Sequence, residues 1–427
     1  MLSVLVKRLR RRHGRRPLGR VAAALGLPAF LAVVGPGLLA GLSDDDAAGI
    51  TTYSILGARF GYELLWILVL ATGALMVFHE LAARMGLVTR KGLMTLVRLR
   101  YSRGTTNGVA AGLLLANVGT TAAEFAGVAA SLELAGVSRY ASVPVAAVAV
   151  SLLVLRGSFH RIEHVLLLVS GIFVTYVVSG LLAHPDWGSV GRGLVVPSAP
   201  ATREAFVITA AVVGTTLAPW GLAFVQSYSV DKKLHASELG PERVDVLGGA
   251  AMTGVIGAFV VIACAATLHA TGRPIDDASD AAVALEPLAG NLASTLFGAG
   301  LLGAALLAAA VLPLSTAYSV SEAFGRRCAL DDSFREAPFF YGTYGLVVGV
   351  GASIVLVPGI PLLDVLVLTQ VLNAVLLPPL LLAMIRIGRD PAVMGEYRSG
   401  RVAQALAYGA GAVVVGSLCA LAAAAVL

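Results

Sequence analysis

Three consecutive carboxylates, Asp44, Asp45 and Asp46, interrupt an apolar stretch. Apolar and small residues run from Gly35 to Leu42 and resume from Ala47 through Leu56. One carboxylate at the centre of a bilayer helix costs roughly 2.5–3.5 kcal/mol on insertion scales, so three unpaired ones are not tolerated there without compensation. Something must pair with them. Pro36 and the glycines at 35, 37 and 41 predict that the helix is broken at this point. A broken helix within a membrane lines a cavity rather than facing lipid. The stretch therefore predicts a cation site near the membrane midplane.

The rest of the chain agrees with a membrane setting. Of its 427 residues 57% are hydrophobic and 13% charged, with a mean hydropathy of +0.85. Soluble domains carry about 25% charged residues. Cys264, Cys328 and Cys419 lie far apart in sequence and form neither a metal-ligand spacing nor a disulfide framework. Much of the net charge of +6 comes from the first 20 residues, which hold Lys7 and seven arginines. Without interleaved aromatics, and directly before a membrane span, this segment reads as a cytoplasmic anchor meeting anionic lipid rather than a nucleic-acid patch. It lacks the small-residue cleavage site of a signal peptide.

Hydropathy predicts eleven spans, at about 28–56, 63–83, 108–136, 142–156, 163–183, 205–229, 246–271, 293–323, 338–357, 362–386 and 404–427. With the N-terminus inside, the inner segments hold 26 of the 31 Lys and Arg residues. That asymmetry sets the orientation, and an odd number of spans places the C-terminus outside. The parts are then a basic segment 1–27, a core 28–403 and an eleventh helix 404–427. The longest outer loops are 184–204 and 272–292, the second carrying Asp276, Asp277, Asp280 and Glu286.

The sixth span has its own break, Gly214-Thr-Thr-Leu-Ala-Pro-Trp-Gly221. Pro219 removes a backbone donor and clashes with the preceding turn. Spans one and six thus carry Gly/Pro interruptions at corresponding places in two five-helix halves. This pattern predicts an all-α, 5+5 inverted-repeat transporter of the LeuT-like kind, with its site at the repeat interface.

The residues carry a resemblance. The Gly35-Pro-Gly break with its acids, Phe60-Gly-Tyr-Glu-Leu-Leu-Trp66, Thr120-Thr-Ala-Ala-Glu-Phe-Ala-Gly127 and Leu368-Thr-Gln-Val-Leu-Asn373 appear in an order and spacing similar to those of the NRAMP family of divalent metal transporters. Within it the chain resembles the NRAMP-related magnesium transporter branch, over roughly 30–400. The family's first-span motif Asp-Pro-Gly-Asn matches Asp46-Ala-Ala-Gly49, and its sixth-span Met-Pro-His matches Ala218-Pro219-Trp220. The resemblance therefore implies a metal site without the soft methionine sulfur, which suits transition metals. An oxygen-rich, roomier pocket fits Mg²⁺, which keeps part of its water shell, and also Mn²⁺. Thr121 and Glu124 match a family acid pair, and Trp220 and Val225 match family histidines. Losing these groups implies uptake without proton coupling. Two charges entering an inside-negative cell gain about 4.6 kcal/mol per 100 mV.

Each candidate has a plainer reading beside the functional one. Asp46 is a metal ligand, the cap of the second half-helix, or both. Asp45 and Asp44 are further ligands, with the Leu42 or Ser43 carbonyl and the Gly49 position beside them. Ala218 is a site wall. Thr215 and Thr216 offer hydroxyl oxygens or bond back to their own helix. Gln370 and Asn373 contact the site or tie helices together. Glu124 and Thr121 line the inner route. His79 is a pathway residue or a satisfied core histidine, and Trp220 packs or gates. The expected cargo is a divalent ion, with no cofactor, nucleic acid or obligate protein partner beyond the bilayer. A proton-coupled Mn²⁺/Fe²⁺ importer and a sodium-coupled organic solute symporter are the alternatives. No enzyme motif, such as His-Glu-x-x-His, a nucleophile elbow or a phosphate loop, is present.

Overall fold

The computed structural model describes residues 35–156, 159–198, 200, 202–272, 275, 280–360 and 362–424. The basic segment 1–27 lies outside them, as do Asp276 and Asp277 of the acidic outer stretch. Among the described residues the only regular structure is helical. The first predicted span is two half-helices, α1 (Pro36–Asp44) and α2 (Ala47–Phe60). There follow α3 (Leu65–Thr89), the short α4 (Leu93–Arg100), α5 (Arg103–Glu133) and α6 (Arg139–Arg156). The fifth span is α7 (Phe159–Ser170) joined through one tight turn to α8 (Val174–Leu182). After the short α9 (Trp187–Val195), the sixth span is again two pieces, α10 (Arg203–Thr216) and α11 (Pro219–Asp231). The last five long helices are α12 (Leu239–Cys264), α13 (Asp280–Ala323), α14 (Pro338–Val355), α15 (Leu362–Arg389) and α16 (Arg401–Ala424).

Ten of these spans are long and apolar enough to cross a membrane. The broken first span, with halves of 9 and 14 residues, is the eleventh. The two breaks fall where the Gly/Pro pattern put them, and the architecture is the all-α inverted repeat. One boundary differs clearly. The helix that carries the eighth span begins at Asp280, although its apolar span starts at Thr295, close to the expected 293, so most of the expected outer loop 272–292 is helix. Hydropathy marks the apolar part of a helix only, and the backbone ladder continues into polar sequence.

Local chemistry fixes the helix ends. Ser102 and Thr202 cap α5 and α10, accepting from the amides of Thr105 and Ala205 at 3.1 and 3.2 Å. Gly61 closes α2 with a positive φ of 57°, a conformation costly for residues with a Cβ. The half-helix α1 has no such cap of its own. Its first-turn amides instead donate to Asp245 of α12: Gly35 at 3.2 Å, Gly37 at 2.7 Å and Leu38 at 3.2 Å. Small residues permit the approach. A Cβ on Gly41 would fall 2.5 Å from the Gly249 backbone, and one on Gly249 2.3 Å from the Gly37 carbonyl. Gly37 and Gly41 thus act as the small-xxx-small face along which membrane helices meet closely.

Asp245→Ala should leave three buried amides unpaired and destabilise the bundle by about 2 kcal/mol or more. Asp245→Asn keeps one acceptor oxygen and should recover part of the loss. Thermal unfolding of the detergent-purified chain measures both, and unchanged melting in the alanine variant would exclude this anchoring role.

Candidate metal site

The break in the first span leaves two bare helix ends deep in the bundle. Asp46 caps the start of α2, its Oδ1 accepting from the Gly49 amide at 2.6 Å. Glu124, reaching across from α5, accepts from the Ala47 amide at 2.9 Å through Oε2. The positive end of α2 therefore meets two carboxylates, the arrangement that an N-terminal dipole favours. Asp44 points the other way, toward the start of α11. A Cβ on Gly221 would lie 2.5 Å from Asp44 Oδ1, so the carboxylate occupies the space that glycine leaves free. On its other side, His79 Nε2 of α3 stands 3.4 Å from Asp44 Oδ2, within ion-pair reach but without hydrogen-bond geometry.

Asp45 has neither arrangement. Both its oxygens are buried without a hydrogen-bond partner, as are both oxygens of Asp44. Ser43 Oγ, Thr215 Oγ1, the second oxygen of Glu124 and both nitrogens of His79 are also buried and without hydrogen-bond partners. All three aspartates are at most 1% exposed. Buried polar atoms are nearly always paired, and an unpaired one costs about 1–3 kcal/mol or more when charged. A concentration of orphaned polar atoms about two helix breaks marks this region as the candidate site for a cation. Among the described residues, no three His, Cys, Asp or Glu side chains already converge on a single metal position. A bound ion here would draw on hydroxyl, carbonyl or water oxygens as well as on carboxylates.

The other expected residues divide. A Cβ on Gly49 would fall 2.8 Å from Thr215 Oγ1 and 3.1 Å from Asp46 Oδ1. Thr215 thus holds the space into which a side chain at 49 would project. Thr216 is already engaged, its hydroxyl 2.8 Å from that of Tyr53. Ala218 lines the second break, but its carbonyl accepts from the Gly221 and Leu222 amides at 3.1 and 3.3 Å. Trp220 is fully buried, with its indole N–H unpaired and its carbonyl accepting from Ser315 at 2.7 Å. Gln370 and Asn373 bond to each other at 3.1 Å, and Asn373 also reaches Thr120 at 3.4 Å. This polar ladder ties α15 to α5, while the Gln370 carbonyl presses on Gly214, where a Cβ would lie 2.0 Å away. Thr121 faces α14, its methyl 2.8 Å from a Cβ placed on Gly351.

Some functional groups escaped the sequence reading. Tyr53 bridges α2 to α10 beside the acids. Glu322 of α13 is buried, accepts from the Met94 and Thr95 amides at 3.1 and 3.4 Å, and receives the Ser227 hydroxyl at 2.6 Å. It does for α4 what Asp245 does for α1. The available signal was an ionisable residue at the end of an apolar run, which is a functional flag by default.

Comparison with known proteins agrees with this architecture. The family described as natural resistance-associated macrophage protein-like (Nramp) matches residues 37–424. A divalent metal cation transporter, MntH, from Ralstonia nicotianae is 31% identical over 419 residues, covering 91% of each chain. The crystal structure of a manganese transporter from Eremococcus coleocola superposes with a TM-score of 0.78 at 21% identity, over 93% of this chain and 87% of that one. Mhp1, a transporter of the nucleobase-cation-symport-1 family, reaches 0.54 at 16% identity, over 91% and 90% of the two chains. These two structural likenesses are likenesses of fold.

Gly221→Ala should displace the Asp44 carboxylate, since a side-chain end yields more readily than backbone. The rise in melting temperature on adding Mn²⁺ should then fall, while the metal-free chain melts within a few degrees of the parent. An undiminished Mn²⁺ response would remove Asp44 from the site.

Proposed function

The chain belongs to the Nramp family, and on that premise we propose that it imports divalent metal ions across the plasma membrane by alternating access. The N-terminus is cytoplasmic and the C-terminus outside, in keeping with the 26 basic residues on the inner segments. The observation that carries the reading is the set of buried, unpartnered oxygens on Ser43, Asp44, Asp45 and Thr215, next to the Asp46 cap of α2. Only a cation compensates such a set without a proton on each acid.

Mg²⁺ is the preferred cargo and Mn²⁺ the second, as in the NRAMP-related magnesium transporter branch. Three features support this. The sixth-span break offers Ala218 where a thioether would select softer ions. Thr215 supplies a hard hydroxyl where Gly49 supplies no side chain. The acids outnumber what the two helix dipoles use, which suits an ion that keeps part of its water shell. Uptake runs on the metal gradient and membrane potential without proton symport. The second reading is a proton-coupled Mn²⁺/Fe²⁺ importer, and the imidazole of His79 beside Asp44 favours it, since nitrogen donors suit transition metals better than Mg²⁺.

Proteoliposomes decide between these readings. Mg²⁺ and Mn²⁺ should enter on an imposed potential, with an internal pH dye unmoved. Acidification in step with uptake would establish proton coupling. Cd²⁺ should compete weakly, and strong competition would overturn the hard-ion assignment. Asp46→Ala and Asp45→Asn should each abolish uptake while the protein still elutes as a single species. Parental rates in either variant would refute the site.

A further inference from the structure

A cavity of about 520 Å³ lies well away from the helix breaks, where α3, α12 and α16 meet the connection before α16. Its walls repeat one gradient three times. On α3, Glu80 and Arg84 are followed one turn deeper by Met76 and Val77. On α12, Arg243 gives way to Leu247 one turn deeper. On α16, the end at Gly400 gives way to Leu406 and Ala407. Charge gathers at the end of the bundle where the basic connections lie, and apolar surface runs inward from it. Leu247 and Leu406 are 39% and 56% exposed, so the deep wall opens sideways toward the acyl region rather than into the protein.

The charged rim is constructed and net basic. Arg84 is 5% exposed; it donates to the Tyr397 carbonyl at 2.7 Å and the Ser399 hydroxyl at 3.2 Å, and pairs with Glu80. Glu80 is shared with Arg243, whose Nε donates to it at 2.7 Å. One carboxylate thus stands between two guanidiniums, and the Arg243 side chain is 42% exposed at the mouth. Arg398 adds an exposed guanidinium, against Glu396. A basic headgroup-level rim above an apolar lateral slot matches an anionic phospholipid, with phosphate against guanidinium and an acyl chain along leucine. The volume lies within the range of ligand sites.

We propose that this cavity is a binding site for one anionic phospholipid of the inner leaflet, and that its occupancy steadies the broken first span. The link is short. His79, which faces Asp44, immediately precedes Glu80 on α3. Asp245, which anchors the first turn of α1, is two residues from Arg243 on α12. A phosphate that holds Arg243 and Glu80 in register therefore holds both contacts of α1. The binding stands without the transport reading, and only its effect on uptake rests on that reading.

Native mass spectrometry of the full chain released from mixed phosphatidylglycerol and phosphatidylcholine nanodiscs tests the site. One phosphatidylglycerol should stay bound preferentially. The double variant Arg243→Gln/Arg398→Gln should reduce its retention roughly tenfold or more, at about 1 kcal/mol per basic group. Arg326→Gln/Arg327→Gln, altering exposed arginines elsewhere at the same end, should leave it unchanged. Ala403→Trp fills the cavity without altering charge and should also expel the lipid, which covers the case of a double variant that does not fold. Equal retention of both lipids, equal loss in the Arg326/Arg327 variant, or retention despite Ala403→Trp would each overturn the proposal. Displacement by millimolar glycerol phosphate would show that the rim reads a free phosphate and not a lipid. In proteoliposomes, Mn²⁺ uptake should be several-fold faster with phosphatidylglycerol than with phosphatidylcholine alone. A lipid-independent rate with binding intact would remove the coupling and leave the site.

Discussion

A broken helix inside a membrane exposes backbone amides to a medium that cannot solvate them, and satisfying those amides governs much of this structure. Carboxylates supply the answer at each short helix. Asp245 receives the first turn of α1, Asp46 and Glu124 receive that of α2, and Glu322 receives that of α4. In three of these cases the acid comes from another helix, so the cap also docks one element on another. The short pieces depend on it, because an isolated helix of 9 residues has little stability of its own. Remove the acids and the pieces lose both their ends and their neighbours.

The same principle sorts the aspartates of the break. Asp46 has a helix end to compensate, and Asp44 leans on the start of α11 with His79 behind it. Asp45 has no helix end and no donor. The triplet is therefore not three equivalent ligands. Asp46 accepts from the Gly49 amide, whereas Asp44 and Asp45 are both buried without a hydrogen-bond donor.

Much of this was legible in the sequence, because the strongest signals are local. Long apolar runs, the Asp44–Asp46 interruption and Pro219 each declare themselves within a few residues, and the helix breaks fall where they point. The start of α13 was not legible, since a helix that continues into polar sequence leaves no hydropathic edge. Nor were the trans caps. Asp245 meets Gly37 across 208 positions and Glu322 meets Met94 across 228, and an ionisable residue at a span end flags itself without naming the distant helix it caps. Gln370 and Asn373 illustrate the converse. Their polarity within a span announced a role, but the fold decided that they bond to each other.

Positions 49 and 215 carry the argument furthest, because neither is informative alone. A glycine in the first break reads as a lost ligand, and a threonine beside the second reads as a residue bonding back to its helix. The fold sets them against each other, so that the hydroxyl of Thr215 stands where a side chain at 49 would have to go. A side chain at 49 would therefore require the Thr215 hydroxyl to move.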